Sequence, residues 1–141
     1  MRTVMRKILG GLLLILVLSG CASASKNSDS NNIDEVHFQV TNGSIYQFED
    51  IDKKSSDQKI ISKVQDMISK LELPDKNKVK DYDGLVGANT YTLDLSENDK
   101  IITRYTFYGN FVTVKTDDAQ SIYELDNMKG VENLINFLQK I

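Results

Sequence analysis

Two side chains stand out as possible centres of covalent or metal chemistry: the single thiol of Cys21 and the single imidazole of His37, in a chain of 141 residues. A nucleophilic site needs a base within hydrogen-bonding reach of its nucleophile. With one cysteine and one histidine in the whole chain, no cysteine–histidine pair with a spare thiol is apparent. Histidine-based metal sites mostly draw on more than one such ligand. His37 lies between Val36 and Phe38 on the polar phase of an alternating stretch, where it reads as a surface histidine. Carboxylates are the abundant alternative, 20 in all. Two of them meeting in space could act as acid and base, but no spacing singles out a pair. Asp81-x-Asp83-Gly84 has the opening of a calcium loop, yet the twelfth place, where that loop needs glutamate, is Thr92. Glu49-Asp50-x-Asp52 is incomplete in the same way. Both read as solvated acidic turns, so the sequence assigns no catalytic residue, no cofactor-binding residue and no metal ligand.

Cys21 has a different context. Arg2, Arg6 and Lys7 form a basic head, and Ile8 to Leu18 is an unbroken run of apolar residues and glycine. That run is too short for a membrane span of about 20 residues, and the parts are those of an export signal. The basic head favours the cytoplasmic side, so the remainder would be exported. Leu18-Ser19-Gly20-Cys21 then resembles the lipobox of bacterial lipoproteins. That resemblance implies a diacylglyceryl group on the Cys21 thiol and cleavage between Gly20 and Cys21. A thiolate can form the thioether, small residues let the backbone enter a peptidase cleft, and two acyl chains hold where one holds only marginally. The alternatives are an ordinary signal peptide or an uncleaved anchor.

The whole chain carries 17 basic and 20 acidic residues. Loss of residues 1–20 removes Arg2, Arg6 and Lys7 and leaves 14 against 20, a formal charge of −6. That balance argues against nucleic acid, which calls for a basic face. It also argues against docking on anionic lipid heads, so the expected membrane link is the lipid on Cys21. With its only thiol committed, the exported chain has no disulfide and must depend on an apolar core. Residues 33–141 suit one domain, and residues 21–32, rich in serine and asparagine, read as a flexible tether.

The elements follow from periodicity. Val36, Phe38 and Val40 alternate with polar residues as a strand does. Asn42-Gly43 is a hairpin signal, which makes Ile45 to Phe48 the returning strand, with Phe38 opposite Gln47, and Glu49 to Ser56 a polar connection. Ser55 with Gln58 fits a capping box, ahead of a helix of about four turns carrying Ile60, Ile61, Val64, Met67, Ile68 and Leu71 on its apolar side. Pro74 stops it. Asp75 to Asn89 shows no period and reads as a long, candidate binding loop. Tyr91 to Leu95, Ile101 to Tyr108, Phe111 to Lys115 and Ser121 to Leu125 read as an antiparallel meander. Asp126 or Asn127 caps a last helix bearing Val131, Leu134, Ile135 and Leu138, with Gly130 a weakness in its first turn. The expected fold is α+β: an antiparallel sheet of about five to six strands with two amphipathic helices on one face.

From about Val36 to Ile141 the chain resembles the small lipoproteins of Gram-positive bacteria that carry a YhfM-like domain. The shared features are the lipobox, the tether, one early amphipathic helix, a meander ending in Tyr123-Glu124-Leu125 and a closing helix. The resemblance implies surface attachment and an α+β domain. It implies no reaction, because no catalytic residues are assigned to that family. Two functions compete. One is a lipid-anchored module on the outer face of the cell membrane that binds an extracytoplasmic protein or envelope component, with Tyr82, Tyr108 and Phe111 as the partner surface. The other is an envelope hydrolase working through carboxylates, which calls for a cleft with paired carboxylates of raised pKa.

Overall fold

The computed structural model describes residues 32–41, 51–81 and 88–141. Within them the elements run β1 (Glu35–Thr41), β2 (Ile51–Ser55), α1 (Gln58–Ser69), a 3-10 turn (Asp75–Asn77), β3 (Lys78–Val79), β4 (Thr90–Glu97), β5 (Lys100–Tyr108), β6 (Phe111–Thr116), β7 (Gln120–Glu124) and α2 (Lys129–Leu138). The strands form one antiparallel sheet in the order β2-β1-β4-β5-β6-β7-β3. The class is α+β as expected, with seven strands where five or six were anticipated.

Alternation puts the core on one face. Cross-strand pairs Val36↔Leu95, Phe38↔Leu93 and Val40↔Tyr91 join β1 to β4. Leu93↔Tyr105 and Tyr91↔Phe107 continue to β5, and Phe107↔Val112 and Tyr105↔Val114 reach β6. Ile61 and Val64 of α1 and Val131, Leu134 and Leu138 of α2 are buried in the same apolar cluster. Both helices therefore cover this one face. Each fully buried aliphatic or aromatic side chain there contributes roughly 1.5–3 kcal/mol. Phe38 stacks on Tyr91 and Tyr105 on Phe107, each pair with ring centroids 6.4 Å apart.

Several local expectations are corrected. Phe38 pairs with Lys53, not Gln47, so β1 and β2 do not form the tight hairpin about Asn42-Gly43. The returning strand lies in the segment read as a polar connection; Ile51, Lys53 and Ser55 are half-buried there and alternate with exposed Asp52 and Lys54. The proposed strand 45–48 falls outside the described residues. Ser55 is the last residue of β2 rather than a helix cap. The N-cap of α1 is Asp57, whose Oδ1 accepts from the Lys59 N–H at 2.8 Å. A carboxylate at this position also favours the positive end of the helix dipole, and α1 runs 12 residues, about three turns.

The stretch read as a loop from Asp75 begins with order. The Asn77 side-chain amide donates to the Glu124 carbonyl at 3.1 Å and to Asp126 Oδ2 at 2.9 Å, which fixes the 3-10 turn to the end of β7. Lys78 and Val79 then pair with Tyr123 and Ile122 as an edge strand. At the other sheet end, Asn98 and Asp99 have φ of 50° and 63° between the paired Glu97 and Lys100. Two consecutive positive φ values match a type I′ turn, and asparagine and aspartate tolerate them. Asp34 Oδ2 accepts from the Asn98 N–H at 2.7 Å and supports that turn.

The N-cap of α2 is Met128, without a side-chain cap bond, rather than the expected Asp126 or Asn127; just ahead of it Asn127 Oδ1 accepts from the Lys129 N–H at 3.0 Å. Gly130 is a close-approach position rather than a flaw. A Cβ there would meet Leu71 Cδ2 at 3.0 Å, so glycine lets α2 lie against the chain leaving α1.

Candidate functional site

The second face of the sheet carries the opposite phase of each strand, and no described helix covers it. One row crosses five strands: Lys54 on β2, His37 on β1, Asp94 on β4, Arg104 on β5 and Lys115 on β6. The next row holds Asp52, Gln39, Thr92, Thr106 and Thr113. Period two in five strands brings these polar groups together on the face opposite the core.

The row is centred on one ion pair. Arg104 donates from Nε to Asp94 Oδ1 at 2.6 Å and from Nη2 to Asp94 Oδ2 at 2.8 Å. The Asp94 side chain is 4% exposed and that of Arg104 43%. A recessed carboxylate thus anchors a guanidinium that still reaches solvent. This bidentate geometry is the stronger form of charge-assisted hydrogen bonding. The contact with Asp94 raises the Arg104 pKa above its ordinary value.

His37 lies on the polar face of β1, as expected, but it is partly covered and paired. Its side chain is only 17% exposed and its Nε2 shares a 2.6 Å hydrogen bond with Asp52 Oδ1. Gln39 Nε2 donates to the other Asp52 oxygen at 3.3 Å. The hydrogen bond with His37 holds the Asp52 carboxyl below the usual carboxylate range, against a smaller opposing desolvation, with Gln39 adding to the lowering. Asp66 and Asp75 are also lowered, chiefly by hydrogen bonds from Lys70 and Lys78. A general acid needs the opposite direction, so these three carboxylates lack the electrostatics of a hydrolase acid.

The aromatic surface expected about the β5–β6 turn divides by phase. Tyr108 and Phe111 face each other across the turn at Gly109, which has φ 56°, and both are half-buried. Phe107 is fully buried, and burial pushes the Tyr105 hydroxyl pKa up. Tyr82, Gly20 and Cys21 lie outside the described residues. Beside the turn, Tyr91, Phe107, Tyr108, Met128, Val131 and Ile135 line part of an open groove of about 400 Å³ between the sheet and α2. A wider cleft of about 690 Å³ runs between the end of α1 and the β7–α2 connection, past Leu71, Pro74, Asn77 and Leu125. Among the described residues no group of three or more histidine, cysteine, aspartate or glutamate side chains is placed to hold a metal ion.

The Asp94–Arg104 pair was not singled out in the sequence. The signal was there: a carboxylate and a guanidinium, each on the polar phase of one of two consecutive strands. Compared with known protein families, curated proteins and solved structures, the chain matches none.

Proposed function

We propose that this protein is a lipid-anchored binding module on the extracytoplasmic face of the cell membrane, working without catalysis. The observation that carries the binding role is the sheet's one-sided cover: a polar face, centred on a solvent-reaching guanidinium, with no described helix over it. A sheet needs only one buried face for its core, so the second face is free to carry recognition groups. Leu18-Ser19-Gly20-Cys21 supports the location, through a diacylglyceryl group on Cys21 and cleavage after Gly20. The resemblance to YhfM-like lipoproteins, read from the sequence pattern alone, agrees with this reading. Tyr108 and Phe111, and Tyr82 in the preceding connection, supply a second contact region for an extracytoplasmic partner.

The experiment is capture from envelope extract by the lipid-bearing protein, with bound material identified by mass spectrometry. Tyr108→Ala and Tyr82→Ala, each confirmed as folded by circular dichroism, weaken capture on this account. Turnover of a cell-wall fragment by the purified protein, abolished by replacing one carboxylate, would overturn it in favour of a hydrolase.

A further inference from the structure

We propose that Arg104 and Lys115 form a phosphate-binding site on the open face of the sheet. The inference rests on the binding-module reading and names a ligand class for it. A guanidinium has two edges that can grip an oxyanion: Nε with Nη2, and Nη1 with Nη2. Asp94 takes the first edge, through Nε and Nη2. Among the described residues Nη1 donates to no acceptor, so the second edge is left for a ligand. Because Asp94 is recessed and bound at two points, the free edge is held in a fixed direction before any ligand arrives. Preorganisation of this kind lowers the entropic cost of binding.

Lys115 is directly opposite Arg104 in the β5–β6 register, on the same face. It is exposed and makes no ion pair among the described residues. Directly opposed like charges on a sheet weaken pairing. Asp94 offsets only Arg104, so Lys115 stands as a surplus positive charge beside it. An oxyanion between the two would relieve that repulsion. Thr106 and Thr113, the next opposed pair along the same strands, add two hydroxyl donors. The four positions thus present a guanidinium edge, an ammonium and two hydroxyls. A carboxylate has two oxygens and is satisfied by the guanidinium edge alone. A phosphate has further oxygens for Lys115 and the threonines, and this arrangement favours it.

The test is a titration of the full chain in maltoside micelles, which carry no phosphate, followed by NMR at the Arg104 Nε–H and the Lys115 and Thr113 amides. Probes are inorganic phosphate, glycerol 3-phosphate and acetate. The expected result is saturable shifts at these groups with both phosphates and weaker binding of acetate. Tighter binding of glycerol 3-phosphate assigns the source to a phosphoester, and equal binding assigns it to free phosphate. Lys115→Gln, an exposed change that leaves Asp94–Arg104 intact, weakens phosphate binding by about tenfold or more, as loss of a charge-assisted hydrogen bond does. Shifts that grow linearly and equally with sodium chloride, acetate that binds as tightly as phosphate, or unchanged binding in Lys115→Gln overturn the proposal. Failure here together with retained envelope capture removes the phosphate site and leaves the binding-module reading standing.

Discussion

Asp94 and Arg104, ten residues apart, meet through two hydrogen bonds at 2.6 and 2.8 Å in the middle of a sheet face that no described helix covers. The carboxylate is almost out of solvent and depends on the guanidinium for its compensation. Removing either group alone is therefore a different change from removing both.

The first prediction follows from that dependence. Arg104→Met leaves a recessed carboxylate without its partner and costs about 2–4 kcal/mol, because an unpaired buried charge is far costlier than a missing pair. Adding Asp94→Leu recovers a large part of the loss. Urea unfolding of the two single variants and the double variant measures this. Additive losses would mean that the pair contributes little beyond its separate packing.

The second prediction uses the phase of α1. Ile61 and Val64 are fully buried, whereas Ile68 is only half-buried and Lys63 is exposed. Ile61→Ala costs about 2–5 kcal/mol. Ile68→Ala costs less than Ile61→Ala, and Lys63→Ala less than about 0.5 kcal/mol. Equal losses for Ile61 and Lys63 would contradict the packing of this helix on the sheet.

Much of the architecture was legible because it rests on periodicity. Val36/Phe38/Val40 and Tyr91/Leu93/Leu95 announce their strands and their buried face. β2 was harder, since Ile51 is its only large aliphatic residue and Lys53 occupies an inward phase. β3 has two residues and no period; its pairing to Tyr123 and Ile122 is a long-range fact. At the start of α1, Ser55 and Asp57 were both suitable caps, and local rules do not choose between them. The Asp94–Arg104 pair also depends on a register that shifts by one residue between Leu95 and Ser96, which no local pattern displays. The proposed anchor at Cys21 and the proposed partner contact at Tyr82 rest on sequence alone.

The third prediction concerns Gly130. Glycine to alanine in an exposed helix interior gains roughly 1 kcal/mol. Here the added methyl meets Leu71 Cδ2 at 3.0 Å, so Gly130→Ala shows none of that gain. In a Leu71→Ala background the same change becomes stabilising. Thermal or urea melts of the four proteins give the coupling, and a full gain in the wild-type background would rule out the close approach.

A fourth prediction concerns acid. The folded pKa of Asp52 is depressed, chiefly by its hydrogen bond with His37. A depressed carboxyl stabilises the fold fully above its unfolded value, about 3.9, and the contribution is lost as pH falls through the lower folded value. Asp52→Asn therefore flattens the fall in urea midpoint below about pH 4. An unchanged acid slope in the variant would contradict the pairing with His37.

The proposed place of action depends on Cys21, and one measurement reaches it directly. Cells expressing the wild-type chain or Cys21→Ser are fed a labelled fatty acid, and the purified proteins are compared for label and for size. The expected result is label on the wild type, none on Cys21→Ser, and slower loss of residues 1–20 in the variant, because a hydroxyl does not replace the thiolate nucleophile. Equal label on the two proteins would contradict the lipid anchor and with it the assignment of this protein to the membrane surface.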